Sequence, residues 1–345
     1  MRTVITSQVI ETVLATGGDL ASLPADAIYT PSARDLLNSR GIKPSGTKAA
    51  KTSAPATTAN VALDVTREVT DIESFFNSPE IYKLKEEICD IGRRMWEREY
   101  VDGNGGNISV RVAKNLVLCT PTMVSKGFLK PSDMCFVDME GTQKAGTRKR
   151  TSEVLMHLAI MKAQPKAVSC VHAHPPHATA FAVARIQPPT CMIPEMEILV
   201  GEAPVADYST PGSQEMGRTV AALSDNHNTI LMANHGVVTW GTGVEDAYWK
   251  MEIVDAYCRT IVFATQLGTN LKTISRDKMV DLLHMKQKMG FPDRRYNLKE
   301  CELCDNSEWH PGVVCGVPQQ QTEPQTDAEE LIKTITSMVV NKLKA

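Results

Sequence analysis

What this chain lacks narrows its possible roles first. Its charge is nearly balanced, with 37 Lys and Arg against 40 Asp and Glu for a net −3 at pH 7, so no basic excess favours a nucleic-acid partner. No apolar run approaches the ~20 residues that a membrane span needs, and the N-terminus has no signal-peptide h-region. The expected setting is the cytoplasm, without membrane or nucleic acid as partner. Internal repeats are absent, and so is the pattern of a disulfide framework. Nine cysteines, an odd number and mostly scattered, are expected as reduced thiols. What is present is apolar material, 42% of 345 residues, enough to bury a full core in two domains or in one domain with appendages.

Composition shifts mark the appendages. Residues 44–60 are small, polar and without apolar period, as a flexible linker would be, and 317–325 reads as a second linker. Before the first linker, Val9, Ile10, Val13 and Leu14 form a helical stripe. Thr30-Pro31 supplies an N-cap and first-turn proline for a second helix that Gly41 would stop. The expected division is an N-terminal helical extension at 1–43, a principal domain at 61–275, a cysteine-bearing extension at 276–316 and an amphipathic helix at 326–345. Within the principal domain, helix-like stretches at about 79–99, 152–163, 214–223 and 243–266 separate strand-like runs at about 107–112, 116–120, 135–139, 167–172, 229–234 and 237–240. That alternation argues for a sheet covered by helices.

One constellation carries chemistry. His172-Ala-His174 follows the buried-strand pattern 167–171, and residues two apart on a strand share a face, so both imidazoles can reach one ion. His235 closes a second apolar run at 229–233 and supplies a third nitrogen from a neighbouring strand. Three histidines suit a catalytic zinc with one position left open. Glu153 is the candidate proton carrier; at a helix start it could equally interact with the helix dipole. Nearby, the Gly105-Gly106 pair lets backbone amides approach an anion, and Asn107, Thr122 and Ser152 add polar groups, a cradle suited to a phosphate monoester.

These segments occur in one order: Gly105-Gly106-Asn107, Thr120-Pro121-Thr122, Thr151-Ser152-Glu153, His172-Ala-His174-Pro-Pro-His177 and Asn234-His235-Gly236. In that order they closely resemble the class II aldolase/adducin family, particularly its L-fuculose-phosphate aldolase type, over roughly residues 80 to 270. The resemblance implies an α/β/α sandwich around a mostly antiparallel sheet. It also implies one zinc per subunit on His172, His174 and His235, with Glu153 as catalytic carboxylate. Gly106, Asn107, Thr122, Thr151 and Ser152 would hold a sugar-phosphate substrate, and a homotetramer is implied. With that triad filled, His157 is expected as packing rather than as a rival ligand, and His177 as a helix-start or supporting group. Met123 stands where such aldolases often carry Gly; its N–H is expected to remain available in a tighter pocket. The aldolases' tyrosine has no evident counterpart, which leaves Glu195 as a candidate second acid. Sugar-phosphate 4-epimerases and methylthioribulose-phosphate dehydratases of the same fold are alternatives, although the epimerases usually carry Asp at the position of Glu153. A non-enzymatic, adducin-like interaction module is a further alternative.

Two features lie outside that resemblance. Cys301, Cys304, His310 and Cys315 could form a zinc knuckle, with reduced structural cysteines favoured. At 326–345, Leu331, Ile332, Ile335, Met338, Val339 and Leu343 share one helical face. The tail resembles the encapsulation peptides that direct enzymes into bacterial microcompartments, so shell or cargo proteins are expected partners.

Overall fold

Eight short strands build one sheet, and their sequences show why both its faces are covered. In the computed structural model, β3 (Asn107–Arg111), β7 (Ser169–Ala173) and β10 (Gly236–Gly241) are buried almost throughout. Strands buried on both faces require helices on both sides. Residues 4–5, 9–10, 13–14, 19–20, 23, 27–42, 63–299, 302–304 and 306 are described. The linker at 44–60, the second linker, the tail at 326–345, Cys301, His310 and Cys315 lie outside them.

The chain divides into two units, Met1–Asn60 and Val61–Ala345. In the first, β1 (Val4–Ile5) pairs in parallel with β2 (Ile28–Tyr29). There α1 (Pro31–Ser39) starts as expected: the Ala33 amide donates to Thr30 Oγ1 at 3.3 Å. Gly41, at φ +67°, follows its C-terminal end. Residues 9–10 and 13–14 are helical, and Ile10, Leu20 and Leu37 share a small core.

In the second unit, α2 (Ile72–Phe76) and α3 (Pro79–Glu97) precede the sheet strands β3, β4 (Val117–Cys119), β5 (Cys135–Val137) and β6 (Gln143–Ala145). Then come α4 (Val154–Ala163), β7, α5 (Pro176–Ala184), a π-turn at Met196–Val200, β8 (Val205–Ala206), α6 (Gln214–Ala221), β9 (Thr229–Met232), β10, α7 (Val244–Gln266) and α8 (Arg276–Lys288). The sheet order is β6-β5-β4-β3-β7-β10-β9-β8. Every pairing is antiparallel except β8 with β9.

Adjacent strand residues point to opposite faces, and the core splits accordingly. Val171, Leu231 and Val237 pack with Ile88, Met95 and Met251 from α3 and α7. Their chain neighbours Cys170, Ile230 and Val238 pack with Met156 and Ile160 of α4 and Val220 of α6. This is the expected α/β/α arrangement around a mostly antiparallel sheet.

Several elements have no clear sequence signal. The strands β6 and β8 span three and two residues, too short for a periodic pattern. The Ala-rich α5 buries one face, Ala178, Phe181 and Ala182, but carries Ala180, Val183 and Ala184 on its exposed side, and this hides its helical period.

The cysteine expectation requires correction. Cys191 and Cys304, 113 residues apart in sequence, form a disulfide. Asn306 secures the same junction: its side chain accepts from the Thr190 amide at 2.7 Å and donates to the Thr190 carbonyl at 3.1 Å. Cys304 is therefore committed and unavailable to a zinc knuckle. Cys89, Cys119, Cys135, Cys170 and Cys258 are free thiols. An odd cysteine count could not reveal a pair made only by the path of the chain.

Candidate active site

Strand register assembles the histidines. Asn107 of β3 and Val238 of β10 both sit opposite His172 of β7. His174 leaves β7 two residues later, on the same face. His235 lies in the tight turn between β9 and β10, beside Asn234 at φ +54°. One ring nitrogen from each of His172, His174 and His235 lies within 4.8 Å of the others, and among the described residues this is the group able to hold a metal ion.

Gly236 makes the convergence possible. A Cβ there would stand 2.5 Å from the Ala173 carbonyl and 2.6 Å from the His174 ring. Gly106, at φ +69°, plays a similar part on β3's approach, where a Cβ would lie 2.9 Å from the His172 carbonyl.

The Nδ1 of His172 lies 2.9 Å from the Val237 carbonyl. A proton on Nδ1 makes that hydrogen bond and leaves a lone pair on Nε2. Nε2 of His172 and of His174 are buried without a hydrogen-bond partner. Burial pushes His172 well below the usual imidazole range, aided by the charges of His174 and His235; burial also lowers His174. Neutral imidazoles with orphaned nitrogens have the chemistry of a zinc ligand set.

Glu153 immediately precedes α4 and does not cap it. Its Oε2 accepts from Asn107 Nδ2 at 2.7 Å and lies 3.5 Å from His172 Nε2, while Oε1 lies 3.3 Å from His235 Nε2. Beside it is a cavity of about 190 Å³. Gly106, Asn107, Thr122, Thr151, Ser152, Glu153 and His174 all line it.

Other candidates are placed differently. Glu195 is exposed and outside that lining, while Glu197, two residues on, is buried against Arg295 at 2.7 Å. His157 is buried with Nδ1 2.7 Å from Ser109 Oγ, and burial lowers it to about 3. His177 Nδ1 lies 3.1 Å from Asp255 Oδ2, and Asp255 Oδ1 accepts from the amides of His177 and Ala178 at the start of α5. Met123 departs from expectation. Its N–H already donates to Asn104 Oδ1 at 2.6 Å, and its side chain is 78% exposed, so it neither offers that donor nor fills the pocket.

The cavity also contains Lys126, which sequence reasoning missed. It is 1% exposed and donates to the carbonyls of Val124 at 2.7 Å and Asn104 at 3.1 Å. Burial lowers its ammonium to about 8, against the opposing pull of Glu153's charge. Nothing in its local sequence marks it, since lysines are ordinarily exposed.

The family described as Class II Aldolase and Adducin N-terminal domain matches residues 86–262, and the chain belongs to it. An L-fuculose phosphate aldolase of Methanococcus maripaludis is 35% identical over 181 residues, 52% of this chain and 95% of that protein. A 3-oxo-tetronate 4-phosphate decarboxylase of Haemophilus influenzae is 32% identical over 202 residues, 57% of this chain and 95% of that one. Among solved structures, an L-fuculose 1-phosphate aldolase matches with TM-score 0.55 at 27% identity, covering 60% of this chain and 96% of that chain. Family and relatives make this chain a metal-dependent lyase.

Proposed function

We propose that this enzyme is a zinc-dependent aldolase that cleaves a ketose 1-phosphate, L-fuculose 1-phosphate or L-rhamnulose 1-phosphate, to dihydroxyacetone phosphate and lactaldehyde. The observation that carries the reading is one carboxylate, Glu153, shared between a three-imidazole cluster and a polar cavity of phosphate-ester size. His172, His174 and His235 would hold one zinc per subunit. Bound there, the ion supplies positive charge that polarises a carbonyl oxygen and stabilises the negative charge released by carbon–carbon cleavage.

The chain's own groups divide the remaining work. Gly106, Asn107, Thr122, Thr151 and Ser152 bind the phosphate and fix the substrate's register against the histidines. Glu153 moves the proton at Oε1, because Asn107 already occupies Oε2 and Oε1 has no hydrogen-bond partner. Asn107 thereby orients the carboxylate.

The Haemophilus relative favours a second reading, decarboxylation of a phosphorylated 3-oxo acid, because the decarboxylation in its name also breaks a carbon–carbon bond. An assay of the zinc-loaded enzyme on ketose 1-phosphates and 3-oxo acid phosphates separates the two. Dihydroxyacetone phosphate and lactaldehyde are expected; carbon dioxide from the acids, with no aldol cleavage, would replace the first reading with the second.

The reading extends to assembly as a homotetramer and to placement inside a bacterial microcompartment through residues 326–345, where a shell would retain the diffusible lactaldehyde. A fluorescent protein carrying 326–345 should co-purify with cognate shells, and a Leu331→Glu/Ile335→Glu version should not. If the fusion stays diffuse and deleting 326–345 breaks up the oligomer, the tail is an assembly element instead.

A further inference from the structure

The geometry points to Lys126 as the charged anchor of the substrate's phosphate, an inference that rests on the phosphate-ester reading above. Among the described residues lining the cavity it is the one Lys or Arg. Its two bonded partners are neutral carbonyls, which leaves one ammonium N–H without an acceptor. No carboxylate among the described residues stands within ion-pair distance of it.

Other buried lysines show how unusual this is. Lys286 meets Asp293 at 3.0 Å, Lys250 meets Asp246 at 2.6 Å, and Lys85 lies 3.3 Å from the centre of the Phe76 ring. Lys126 alone of these four lacks both a carboxylate and an aromatic face. Burying an ammonium without a counter-charge is costly, and an anionic ligand arriving in the cavity removes that cost.

The rest of the pocket offers no other full positive charge among the described residues. The Met123 and Gly105 amides are spent on Asn104 Oδ1 and the Asp102 carbonyl, and the Thr122 amide on the Lys149 carbonyl. The hydroxyls of Thr122, Thr151 and Ser152 are neutral, and Glu153 opposes an incoming anion. Among the described residues of this lining, Lys126 is the Lys or Arg whose full positive charge can meet a dianionic phosphate.

Calorimetric titration of the full-length, zinc-loaded enzyme with inorganic phosphate, phosphoglycolate and glycolate tests the assignment. Lys126→Gln, which keeps donors for the two carbonyls, and Lys126→Met should weaken phosphate and phosphoglycolate by about 10- to 100-fold. Glycolate, which lacks phosphate, should change less than about twofold, a difference near the limit of such comparisons. Equal weakening of all three ligands would make Lys126 a structural tie of its loop, and unchanged phosphate binding would remove it from the site; either result overturns the inference. Wild-type enzyme that binds glycolate but neither phosphate ligand would overturn the phosphate-ester reading itself. As a check independent of variant folding, a crystal of the wild-type enzyme with phosphoglycolate should place Nζ within hydrogen-bond distance of a phosphate oxygen, and a phosphate bound away from Nζ would refute the assignment.

Discussion

Two buried polar clusters in the larger unit differ in one respect: whether their atoms are satisfied by the chain itself. In the first, Arg295 meets Glu197 at 2.7 Å and Asp293 at 2.8 Å, while Lys286 meets Asp293 at 3.0 Å and donates to the Val200 carbonyl at 2.8 Å. The second joins Glu153 to His172, His174 and His235, and leaves Glu153 Oε1 and Nε2 of His172 and His174 unpartnered. Burial by itself would raise Asp293, but the hydrogen bond from Arg295 and the charges of Lys286 and Arg295 bring it below the usual carboxylate range. The closed cluster fastens residues after α8 to the π-turn. The open one keeps buried nitrogens and a carboxylate oxygen that the chain itself does not satisfy.

Breaking the open cluster should produce the largest effect, on turnover. His172→Ala should lose bound zinc and activity together, as read by metal analysis alongside the assay. Glu153→Gln should keep its zinc and lose about 10²- to 10⁴-fold in kcat, about 3 to 5.5 kcal/mol of barrier; near-normal turnover would end the proton-carrier assignment.

The closed cluster should respond in stability. Arg295→Met leaves Glu197 and Asp293 short of a partner and should cost about 3–5 kcal/mol in denaturant unfolding, with zinc per folded chain unchanged. A loss of zinc at full stability would merge the two clusters functionally and break the comparison.

A subtler probe adds one carbon without touching a ligand. Gly236→Ala forces a Cβ against the Ala173 carbonyl and the His174 ring. Zinc affinity should fall about 10- to 100-fold, comparable to loss of a supporting group around a metal, and unchanged affinity in a competition titration would show that the site opens freely.

The smallest effect is on pH dependence. Folding lowers His157 from 6.5 to about 3, chiefly through burial. Below pH 6.5 the unfolded chain binds a proton that the folded chain refuses, so stability is complete above that pH and falls toward pH 3 by at most about 1.4 kcal/mol per unit from this residue. His157→Gln should flatten acid denaturation by close to one proton, and an unchanged slope would contradict the burial argument.

Much of this was legible residue by residue. The spacing of His172 and His174 places both on one strand face, but the apolar run before His235 forms β9, which β10 separates from β7, so the third imidazole comes from the turn between β9 and β10 and not from a strand beside β7. Thr30-Pro31 and Gly41 bracket α1 through backbone chemistry that requires no tertiary partner. Glu195 shows the limit: it stands exposed just before the π-turn, while Glu197, two residues on and inside the turn, is buried.

The sequence by itself determined most of the strand and helix alternation and the types and order of the candidate site side chains, because periodicity and side-chain chemistry are local properties. Tertiary structure alone decided that Cys191 meets Cys304, that Gly236 clears the space where three rings converge, and that Lys126 ends buried beside Thr122 and Glu153. Each depends on chain segments meeting across the fold, where proximity sets pairing, room and charge, and no local pattern records those contacts.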